Sequence, residues 1–558
     1  MSDAAAANGL IDSERVADAA DGAEPVDGLS ARAVASALFG LVLHGDRLGR
    51  RGAKLGMEAA KAAVGRDDVE PRKGDRRFND DAWKLNPFYR RVKNVYLVWE
   101  REVMRAVETA DLKPVDADRA RFCMEVLVSA AAPTNTYLGN PAALKHVFDT
   151  AGMSLFRGTR NAVGDAFTNG RMPRHIPRDA YEVGTDLAAT PGAVVLRDEM
   201  FELLQFQPVG AKTRSRPVMM VPPQINRYYF MDLSPQRSFI EYAVSREIPF
   251  FTISWRNPTS EQADWSLDDY ARAVDKAIDA VRDISGSDDV NLLSLCAGGI
   301  LTAGLLGHMA AAGDTRVHSA SFGVTLLDFE IRAPVGVFRA PPLIALARGR
   351  SSSQGVLEAR SLTSTFNWMR PNDLVWNYWV NNYLLGNDPP TFDILAWNAD
   401  ATNMAGRLHS DFLEIFQNNL LAKPGSLKVL GTPVDLGKVE IDNYVTGATT
   451  DHLTPWHGCY QTTQLMAGKS TFVLSNAGHI ASLVNPPGNP KAHYFTGPEP
   501  NGDAEAWKGE AELRQGTWWE HWGDWITARS GEERDAPSKL GSERYPVLAA
   551  APGKYVHE

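Results

Sequence analysis

In the second two-thirds of the chain, short apolar runs alternate with longer stretches of helical periodicity. Segments 217–221 and 248–253 are continuous apolar runs, which are typical of strands buried on both faces of a sheet. Upstream of them, 193–196 and 203–206 have the pattern of an antiparallel pair, and 268–284 has the pattern of a helix. Because strands and helices alternate, we predict an α/β fold built around a parallel sheet.

The preceding part of the chain has a helical pattern instead. Aromatic residues recur at helical spacing from Asp75 to about Asn169, and most of them are predicted to be core. Residues 1–29 are rich in Ala, Asp, Gly and Glu and are predicted to be a disordered tail. Residues 30–64 predict a helix with an apolar and a basic side, which either packs on the protein body or lies on a hydrophobic surface. We therefore expect an N-terminal, mostly helical domain over 30–190.

The larger domain is predicted to span 191–558. After a strand predicted over 322–329, the sheet pattern is interrupted by an insertion, about 331–425, that is dense in aromatic residues. Strands resume near Leu427, so we expect the insertion to form a cap over the edge of the sheet. The tryptophan-rich segment 518–525 predicts a last helix that packs on the body.

Composition narrows the classes of protein that fit this pattern. The chain has 558 residues and a net charge of −10, and this acidic balance argues against a nucleic-acid partner, which needs a basic surface. No secretory signal is recognisable, and the early apolar stretch 33–43 is shorter than the roughly 20 residues that cross a bilayer. The three cysteines are far apart and in no metal-ligand spacing, which fits a reducing cytoplasm and at least one free thiol. We therefore expect a cytoplasmic protein with no membrane span and no metal.

Cys296 interrupts the apolar strand pattern of 290–295 and is followed by Ala297, Gly298 and Gly299 before an apolar helix. A strand that turns sharply into a helix exposes the residue at its apex as a nucleophile, and small neighbours let the two elements lie close together. Backbone N–H groups at such a helix start stabilise an oxyanion, and Ala297 is the expected donor. Taken alone, a buried structural cysteine is the commoner fate of a free thiol.

Two later strand patterns also end in reactive side chains. Asp451 follows the strand pattern at 439–444, and His479 follows the strand pattern at 470–474. A nucleophile, an acid and a histidine in this chain order, each past the carboxyl end of a strand, are typical of the α/β-hydrolase fold. We therefore predict a catalytic triad of Cys296, Asp451 and His479.

Each downstream member of this triad has a competing interpretation. Asp451 also suits a helix N-cap, and His479 also suits a polar turn. His452 adjoins the acid and is the nearest competitor for the base. In this fold a loop after an early buried strand supplies a second oxyanion donor, and the N–H of Ile225 is our candidate.

Short motifs are spread along the chain from about Asp75 onward. They are Asp75-Arg76-Arg77-Phe78 with Trp83 and Asn86-Pro87, Pro133-Thr134-Asn135, Thr190-Pro191-Gly192, Val221-Pro222-Pro223, 369–383, Asp451-His452 with Pro455-Trp456, and Gly478-His479-Ile480 with Asn485-Pro486-Pro487. Together they resemble the single-subunit polyhydroxyalkanoate synthases, of class I or II. The family's nucleophile falls on Cys296, its acid on Asp451 and its histidine on His479. One departure is Ser294, where the family usually has glycine; serine is small, and we expect the turn to survive.

The resemblance implies an acyltransferase that polymerises 3-hydroxyacyl-CoA thioesters into a polyester. His479 would take the proton from Cys296, whose thiolate attacks the thioester and releases CoA, and a hydroxyl of a second unit would then attack the acyl-cysteine. Asp451 would either orient His479 or assist deprotonation of that hydroxyl. No cofactor is implied, because CoA is part of the substrate and a product. The family also suggests a homodimer bound to polyester granules in the cytoplasm.

Two other functions remain open at this point. A hydrolase of the same fold, either a thioesterase or a polyester depolymerase, would release a free hydroxy acid, and a Cys296→Ser variant would retain much of its activity. A granule-surface or scaffolding protein would need no working site, which the intact Cys, Asp and His argue against. Arg227 and Arg370 are candidate contacts for the CoA phosphates, although surface salt bridges are the commoner role of such arginines.

Overall fold

The computed structural model of this chain describes residues 61, 69–110, 112, 114–330 and 341–558. The predicted tail and nearly all of the helix predicted over 30–64 lie outside these residues. The described residues divide into two compact units. The first comprises those up to Ala180 together with Ser364–Leu395, and the second comprises Tyr181–Thr363 and Ala396–Glu558.

The elements are numbered here in chain order within the described residues. The helices are α1 (Ala82–Leu85), α2 (Pro87–Glu108), α3 (Pro114–Ala130), α4 (Pro141–Asp149), α5 (Met153–Thr168), α6 (Phe239–Ser245), α7 (Leu267–Ser285), α8 (Ala297–Ala312), α9 (Pro341–Gln354), α10 (Ala359–Met369), α11 (Asp393–Ala399), α12 (Gly406–Asn418), α13 (Trp456–Thr462), α14 (His479–Leu483), α15 (Ala504–Glu510) and α16 (Trp518–Thr527). The strands are β1 (Gly192–Arg197), β2 (Phe201–Phe206), β3 (Lys212–Arg214), β4 (Val218–Val221), β5 (Phe250–Trp255), β6 (Val290–Leu295), β7 (Val317–Gly323), β8 (Val356–Leu357), β9 (Met404–Ala405), β10 (Lys428–Val429), β11 (Thr432–Pro433), β12 (Asp442–Ala448), β13 (Ser470–Ser475), β14 (His493–Thr496), β15 (Glu512–Gln515), β16 (Glu533–Asp535) and β17 (Ala549–Ala550). Two π-helical segments, Asn372–Trp376 and Trp379–Leu384, lie between α10 and α11.

The first unit is helical, and two of its helices begin where Asn-Pro pairs occur in the sequence. The side chain of Asn86 accepts a hydrogen bond from the backbone N–H of Phe88 at 2.9 Å, and that of Asn140 accepts one from Ala143 at 3.2 Å. The proline after each asparagine occupies the first helical position, where its missing N–H has no intrahelical partner to lose. The two Asn-Pro pairs therefore mark the starts of α2 and α4.

The aromatic residues predicted as core mostly are core. Phe78, Trp83, Tyr89 and Tyr96 form one buried cluster, in which the rings of Phe78 and Trp83 meet edge to face at 4.9 Å between centroids. Phe88 is 61% exposed, and Phe148, Phe156 and Phe167 are exposed by 65–85%. Helical spacing identified the aromatic residues of this region, but it did not show which of them are buried and which are exposed.

Segment 364–395, which lies in the predicted insertion, belongs to the first unit. Val380 packs against Ala143 in a second buried cluster. The hydroxyl of Tyr137 donates to the backbone carbonyl of Tyr383 at 2.7 Å. The first unit is therefore assembled from two stretches of chain that are far apart in sequence.

His175 gives the first unit a pH-dependent stability. Its Nε2 lies 2.7 Å from the carbonyl of Leu374 and donates to it. Burial lowers the pKa of His175 to about 4 although this hydrogen bond opposes the shift, so the ring is neutral near pH 7. An unfolded histidine has a pKa of about 6.5, so the stabilisation is complete above that pH and is lost as the pH falls toward 4. We expect a loss of about 2 kcal/mol in the free energy of unfolding between about pH 7.5 and pH 5.

Urea denaturation of the wild type and of His175→Gln at both pH values measures this contribution. Glutamine keeps an N–H donor for Leu374 and does not titrate, so the variant should lose about 2 kcal/mol less than the wild type on acidification. An identical loss in both proteins would show that His175 is not the titrating group.

The second unit contains an 11-stranded sheet in the order β15-β14-β13-β12-β7-β6-β4-β5-β2-β1-β17. Strands β13, β12, β7, β6, β4 and β5 are parallel neighbours. Antiparallel strands extend the sheet on both sides, β14 and β15 beyond β13, and β2, β1 and β17 beyond β5. The predicted parallel sheet and the predicted antiparallel pair β1–β2 are both confirmed.

The strand predicted over 322–329 is wrong in position, because β7 ends at Gly323 and begins at Val317. Two serines in β7 interrupt its apolar pattern, so apolar runs alone did not predict a strand there. The hydroxyl of Ser319 donates to Oδ1 of Asn291 at 2.7 Å, and the hydroxyl of Ser321 accepts from the indole N–H of Trp522 at 3.0 Å. Because both hydroxyls are hydrogen-bonded, the strand can be buried without being apolar.

The strands near Leu427 do not continue the large sheet. Strands β10 and β11 pair with each other as a separate two-stranded hairpin, and the large sheet continues with β12. The predicted last helix is α16, in which Trp518, Trp519 and Trp522 are at most 1% exposed and surround Phe239. The prediction that this helix packs on the body is confirmed.

Candidate active site

Cys296 stands alone between β6 and α8, at a sharp turn of the backbone. Its φ is 48° and its ψ is −120°, a conformation that non-glycine residues rarely adopt. Its backbone N–H donates to the carbonyl of Gly323 on β7 at 3.0 Å, and its own carbonyl accepts from Gly299 at 2.9 Å. The side chain is partly exposed. The turn thus has the geometry of a nucleophile elbow, in which the strained residue presents its side chain above the sheet.

Gly298 and Gly299 allow the start of α8 to lie against its neighbours. A Cβ atom on Gly298 would lie 2.3 Å from the carbonyl oxygen of Val221 and 2.9 Å from that of Pro222. A Cβ atom on Gly299 would lie 2.4 Å from the hydroxyl of Thr325. Gly298 therefore brings the elbow against the end of β4, where the loop that carries Ile225 begins.

A side chain at residue 298 should displace this backbone contact. We expect Gly298→Ala to lower the free energy of unfolding by about 1–3 kcal/mol, because the carbonyls it meets belong to the main chain and cannot rotate away. Gly304→Ala on the same helix is the matched control, since its Cβ would meet the Val429 methyl group at 3.1 Å. Chemical denaturation of the two variants compares them, and equal stabilities would show that the contact at Gly298 is not tight.

Ser294 occupies the position where the resemblance leads us to expect glycine. Its hydroxyl donates to that of Thr302 on α8 at 2.8 Å, and both residues are fully buried. The turn forms with serine in place, and the extra hydroxyl links the strand before the elbow to the helix after it.

Asp451 and His479 are in direct contact behind two strand ends. The side chains of both are fully buried, and Nδ1 of His479 lies 2.6 Å from Oδ2 of Asp451. Oδ1 of Asp451 accepts from the N–H groups of Leu453 and Thr454 at 2.8 and 2.9 Å, and Oδ2 accepts from the hydroxyl of Thr454 at 2.6 Å. The ring of His479, the residue predicted as the base, therefore hydrogen-bonds the predicted acid.

The surroundings of Asp451 and His479 also bear on their competing interpretations as a helix N-cap and a polar turn. Asp451 does fold its own loop by accepting two backbone N–H groups, but α13 begins later, with Pro455 as its N-cap residue. His479 is 0% exposed, which differs from a polar residue in a surface turn.

The surroundings of Asp451 keep it ionised. Burial by itself raises the pKa of this carboxyl, but the charge of His479 and the hydrogen bonds from His479 and Thr454 outweigh burial. The pKa of Asp451 therefore lies below its usual value. An ionised carboxylate only accepts hydrogen bonds, so Nδ1 of His479 carries the proton between them. When the ring is neutral, this tautomer leaves Nε2 as the basic nitrogen.

The helix that begins with His479 is held from its far side by α16. The hydroxyl of Ser482 donates to the carbonyl of His479 at 2.8 Å. The indole N–H groups of Trp518 and Trp519 donate to the carbonyls of Ser482 and Leu483, each at 2.7 Å. These contacts fix a short helix that could not hold the ring of His479 in place by itself.

The loops that carry Cys296, Asp451 and His479 leave the same edge of the sheet. Leu295 at the end of β6 is paired with Gly323 on β7, and β7 is in turn paired with β12. At the end of β12, Ala448 is paired with Ser475 on β13. Because all four strands are parallel, their carboxyl ends lie side by side.

Cys459 is a second thiol in this neighbourhood. Burial raises its pKa far above the usual value, and the charges of Asp451, His479 and Cys296 also act on it. Its Sγ donates to the carbonyl of Thr454 at 3.4 Å. Cys459 is fully buried and its hydrogen bond is to the loop that carries Asp451.

Sequence reasoning missed Thr454 and Cys459 among the loop contacts around Asp451, and it missed Thr325, whose hydroxyl donates to the carbonyl of Cys296 at 3.4 Å. A signal for Thr454 was present, because an Asp that folds its own loop accepts from residues two and three positions later. A hydroxyl on the second of these residues is then carried next to the carboxylate. The sequence had no comparable signal for Thr325 or Cys459, since both depend on how α8 and α13 pack.

The two arginines considered for CoA binding have protein partners. Arg227 is 5% exposed and donates to the carbonyls of Tyr555, at 2.8 Å, and Glu558. Arg370 forms a salt bridge with Asp373 at 2.9 Å. Arg370 therefore has the salt bridge that was the commoner expectation, whereas Arg227 is buried and hydrogen-bonds backbone carbonyls.

Metal and membrane features were sought in the same part of the chain. Among the described residues, no group of three or more His, Cys, Asp and Glu side chains is placed to hold a metal ion. None of the helices that the structure describes combines the length and the apolar character needed to cross a membrane.

Two family models match the chain. That of the poly-beta-hydroxybutyrate polymerase (PhaC) N-terminus matches residues 74–243, and that of the alpha/beta hydrolase fold matches residues 226–486. With the sheet order described above, the second match shows the α/β-hydrolase fold that was predicted.

Relatives with assigned activities cover most of the chain. Poly(3-hydroxyalkanoate) polymerase 1 of Ectopseudomonas oleovorans is 45% identical, over 91% of this chain and 90% of its own length. The poly(3-hydroxyalkanoate) polymerase subunit PhaC of Cupriavidus necator is 38% identical, over 86% of this chain and 83% of its own length. Among solved structures, a monoacylglycerol lipase of Paleococcus ferrophilus matches with 14% identity and a TM-score of 0.32, over 50% of this chain and 90% of that one.

Proposed function

The chain belongs to the family of poly(3-hydroxyalkanoate) polymerases, and on this premise we propose that Cys296, His479 and Asp451 carry its acyl transfer. The enzyme is an acyltransferase that polymerises 3-hydroxyacyl units, as the sequence led us to expect. The proposal concerns the route, which runs through an acyl-cysteine. It is supported above all by the 2.6 Å contact between Asp451 and His479, at the sheet edge where the elbow of Cys296 lies.

The first step acylates Cys296. Nε2 of His479 accepts the thiol proton, and the resulting thiolate attacks the carbonyl carbon of 3-hydroxyacyl-CoA. The tetrahedral intermediate collapses with cleavage of the bond to the CoA sulfur, and the imidazolium returns its proton to that sulfur. Free CoA and a 3-hydroxyacyl thioester on Cys296 are formed. Because one thioester replaces another, the acyl group remains activated for the next transfer.

The second step lengthens the polyester. The 3-hydroxyl of another acyl unit attacks the acyl-cysteine while His479 takes its proton, and the ester forms as the bond to Sγ breaks. The imidazolium then returns the proton to the Cys296 thiolate. The same base therefore serves both steps, and exclusion of water from the site would keep the acyl-cysteine from being hydrolysed.

Asp451 orients His479 rather than acting on the substrate hydroxyl. A carboxylate has about four acceptor positions, and Asp451 fills them with two backbone N–H groups, the hydroxyl of Thr454 and Nδ1 of His479. Its side chain is also fully buried. No acceptor position is left for a substrate proton, and the ionised acid instead stabilises the imidazolium that forms in each step.

The tetrahedral oxyanion is proposed to lie between two backbone donors. Ala297 is the first residue of α8, where an N–H has no intrahelical acceptor. Ile225 lies in the turn just after β4, whose end is held against the elbow by Gly298. The N–H groups of these residues are the candidates, and they would act as oxyanion donors do in acyl transfer on this fold.

A hydrolase with the same site is the second candidate function, and product analysis separates the two. Incubation with a series of 3-hydroxyacyl-CoA esters of rising chain length should release CoA thiol and yield insoluble polyester, with an acyl group on the Cys296 peptide in acid-quenched samples. Stoichiometric free hydroxy acid without polyester would support a thioesterase instead. An acyl group on any other residue would contradict the proposed route.

Further properties of the enzyme are proposed from the family. We propose that it works as a homodimer on polyester granules in the cytoplasm and needs no cofactor other than the CoA of its substrate. The domain limits, 30–190 and 191–558 with a cap at about 331–425, are proposed from the sequence pattern. A purified complex of twice the chain mass in solution, and granule localisation of a fluorescent fusion, are the results expected.

A further inference from the structure

The hydroxyl of Thr454 lies between the two members of the acid–histidine pair. Its Oγ1 is 2.6 Å from Oδ2 of Asp451 and 2.9 Å from Nδ1 of His479, which are themselves 2.6 Å apart. Thr454 is 8% exposed. The three polar atoms form a buried triangle in which each atom is within hydrogen-bond distance of the other two.

The ionisation of Asp451 fixes the direction of these hydrogen bonds. The carboxylate only accepts, so the Thr454 O–H donates to Oδ2. The lone pairs of the hydroxyl oxygen then face the proton on Nδ1 of His479, which is shared between Oδ2 and Oγ1. A proton on Nδ1 has two acceptors within reach, whereas a proton moved to Nε2 would leave Nδ1 facing an acceptor without a hydrogen between them.

Thr454 is itself held in place by its main chain. Its N–H donates to Oδ1 of Asp451 at 2.9 Å, and its carbonyl accepts from the thiol of Cys459 at 3.4 Å. A threonine side chain has few allowed χ1 angles, so a fixed backbone leaves its hydroxyl little freedom. The hydroxyl therefore reaches the pair in a set direction.

We propose that Thr454 is a positioning residue of the acyl-transfer centre, whose hydroxyl holds Asp451 against Nδ1 of His479 so that Nε2 stays available as the base. This inference rests on the proposed function of Cys296 and His479. A purely structural role, in which the hydroxyl only completes the loop after β12, is the alternative. The two differ in what they predict for the reactivity of Cys296.

Thr454→Val removes the hydroxyl with almost no change in shape, and Thr454→Ser keeps it. We expect kcat for CoA release to fall about 10-fold or more in Thr454→Val with KM unchanged, because proton transfer is impaired but binding is not. The rate at which iodoacetamide alkylates the Cys296 peptide near neutral pH should fall as well. Thr454→Ser should recover most of both rates. Thr463→Val is the matched control, since that buried hydroxyl donates to the carbonyl of Tyr460 at 2.6 Å.

The outcomes separate this inference from the proposed function. Wild-type kcat and alkylation rates in Thr454→Val would overturn the positioning role, as would equal impairment of the Val and Ser variants. Both results leave the proposed function standing as long as Cys296→Ala is inactive. If Thr454→Val does not fold, Thr454→Ala is measured against Thr454→Ser with the same expectations. An active Cys296→Ala protein would instead remove the proposed function itself.

Discussion

Cys296→Ser is expected to lower the rate of CoA release by about a thousandfold or more. The serine hydroxyl has nearly the shape of the thiol, so the elbow should be preserved. Its pKa, however, is far above that of a thiol, and His479 can remove its proton only as the attack occurs. An acyl-serine would also be an ordinary ester, which is a poorer acyl donor to the next hydroxyl than the thioester on Cys296.

The measurement is CoA thiol release from 3-hydroxyacyl-CoA together with polyester yield. Cys123→Ser is the matched control, because this thiol is buried in the first unit and should leave the reaction rate unchanged. Substantial CoA release by Cys296→Ser, with free hydroxy acid as the product, would favour a hydrolase. Polyester formation at the wild-type rate would show that Cys296 is not the acyl carrier.

Asp451→Asn is expected to lower kcat by about three to four orders of magnitude while the protein remains folded. The amide is the same size as the carboxylate, but its NH2 group can turn toward Nδ1 and donate to it. His479 would then carry its proton on Nε2 and could no longer accept one from Cys296. The loss of negative charge also removes the partner of the imidazolium in both steps.

Steady-state kinetics of Asp451→Asn separate these effects from binding, since KM should change little. Asp435→Asn is a suitable control, because Asp435 also accepts a backbone N–H, from Gly437 at 3.1 Å, in a loop of the same unit. It should retain wild-type kcat. An Asp451→Asn protein with near wild-type kcat would assign the orientation of His479 to other contacts.

Much of this site follows from sequence because strand ends are local features. The apolar runs of β6 and β13 could be identified, and the strand predicted at 439–444 overlaps β12, which is Asp442–Ala448. In a parallel sheet the carboxyl ends of such strands meet at one edge wherever the rest of the chain goes. Cys296, Asp451 and His479 were predicted to lie at one edge in this way. The strand β7 was misplaced because its buried serines depend on Asn291 and Trp522, which are distant in sequence.

The features that sequence reasoning missed depend on packing between distant elements. Ser294 was noted only as a departure from the glycine that is usual at this position. Its hydrogen-bond partner Thr302 can be identified only once α8 is placed over β6. The contact between Thr454 and Nδ1 of His479 requires two loops to meet. The sequence pattern within either loop alone does not predict this contact.

The two-part construction of the first unit has a consequence for biosynthesis. Residues up to Ala180 leave the ribosome long before 364–395, yet Val380 and Leu384 complete the apolar cluster around Ala143. The early helices must therefore wait, with part of their apolar surface uncovered, while nearly two hundred residues of the other unit are synthesised. Exposed apolar surface on a nascent chain promotes aggregation. We therefore expect the chain to depend most on chaperones during this interval.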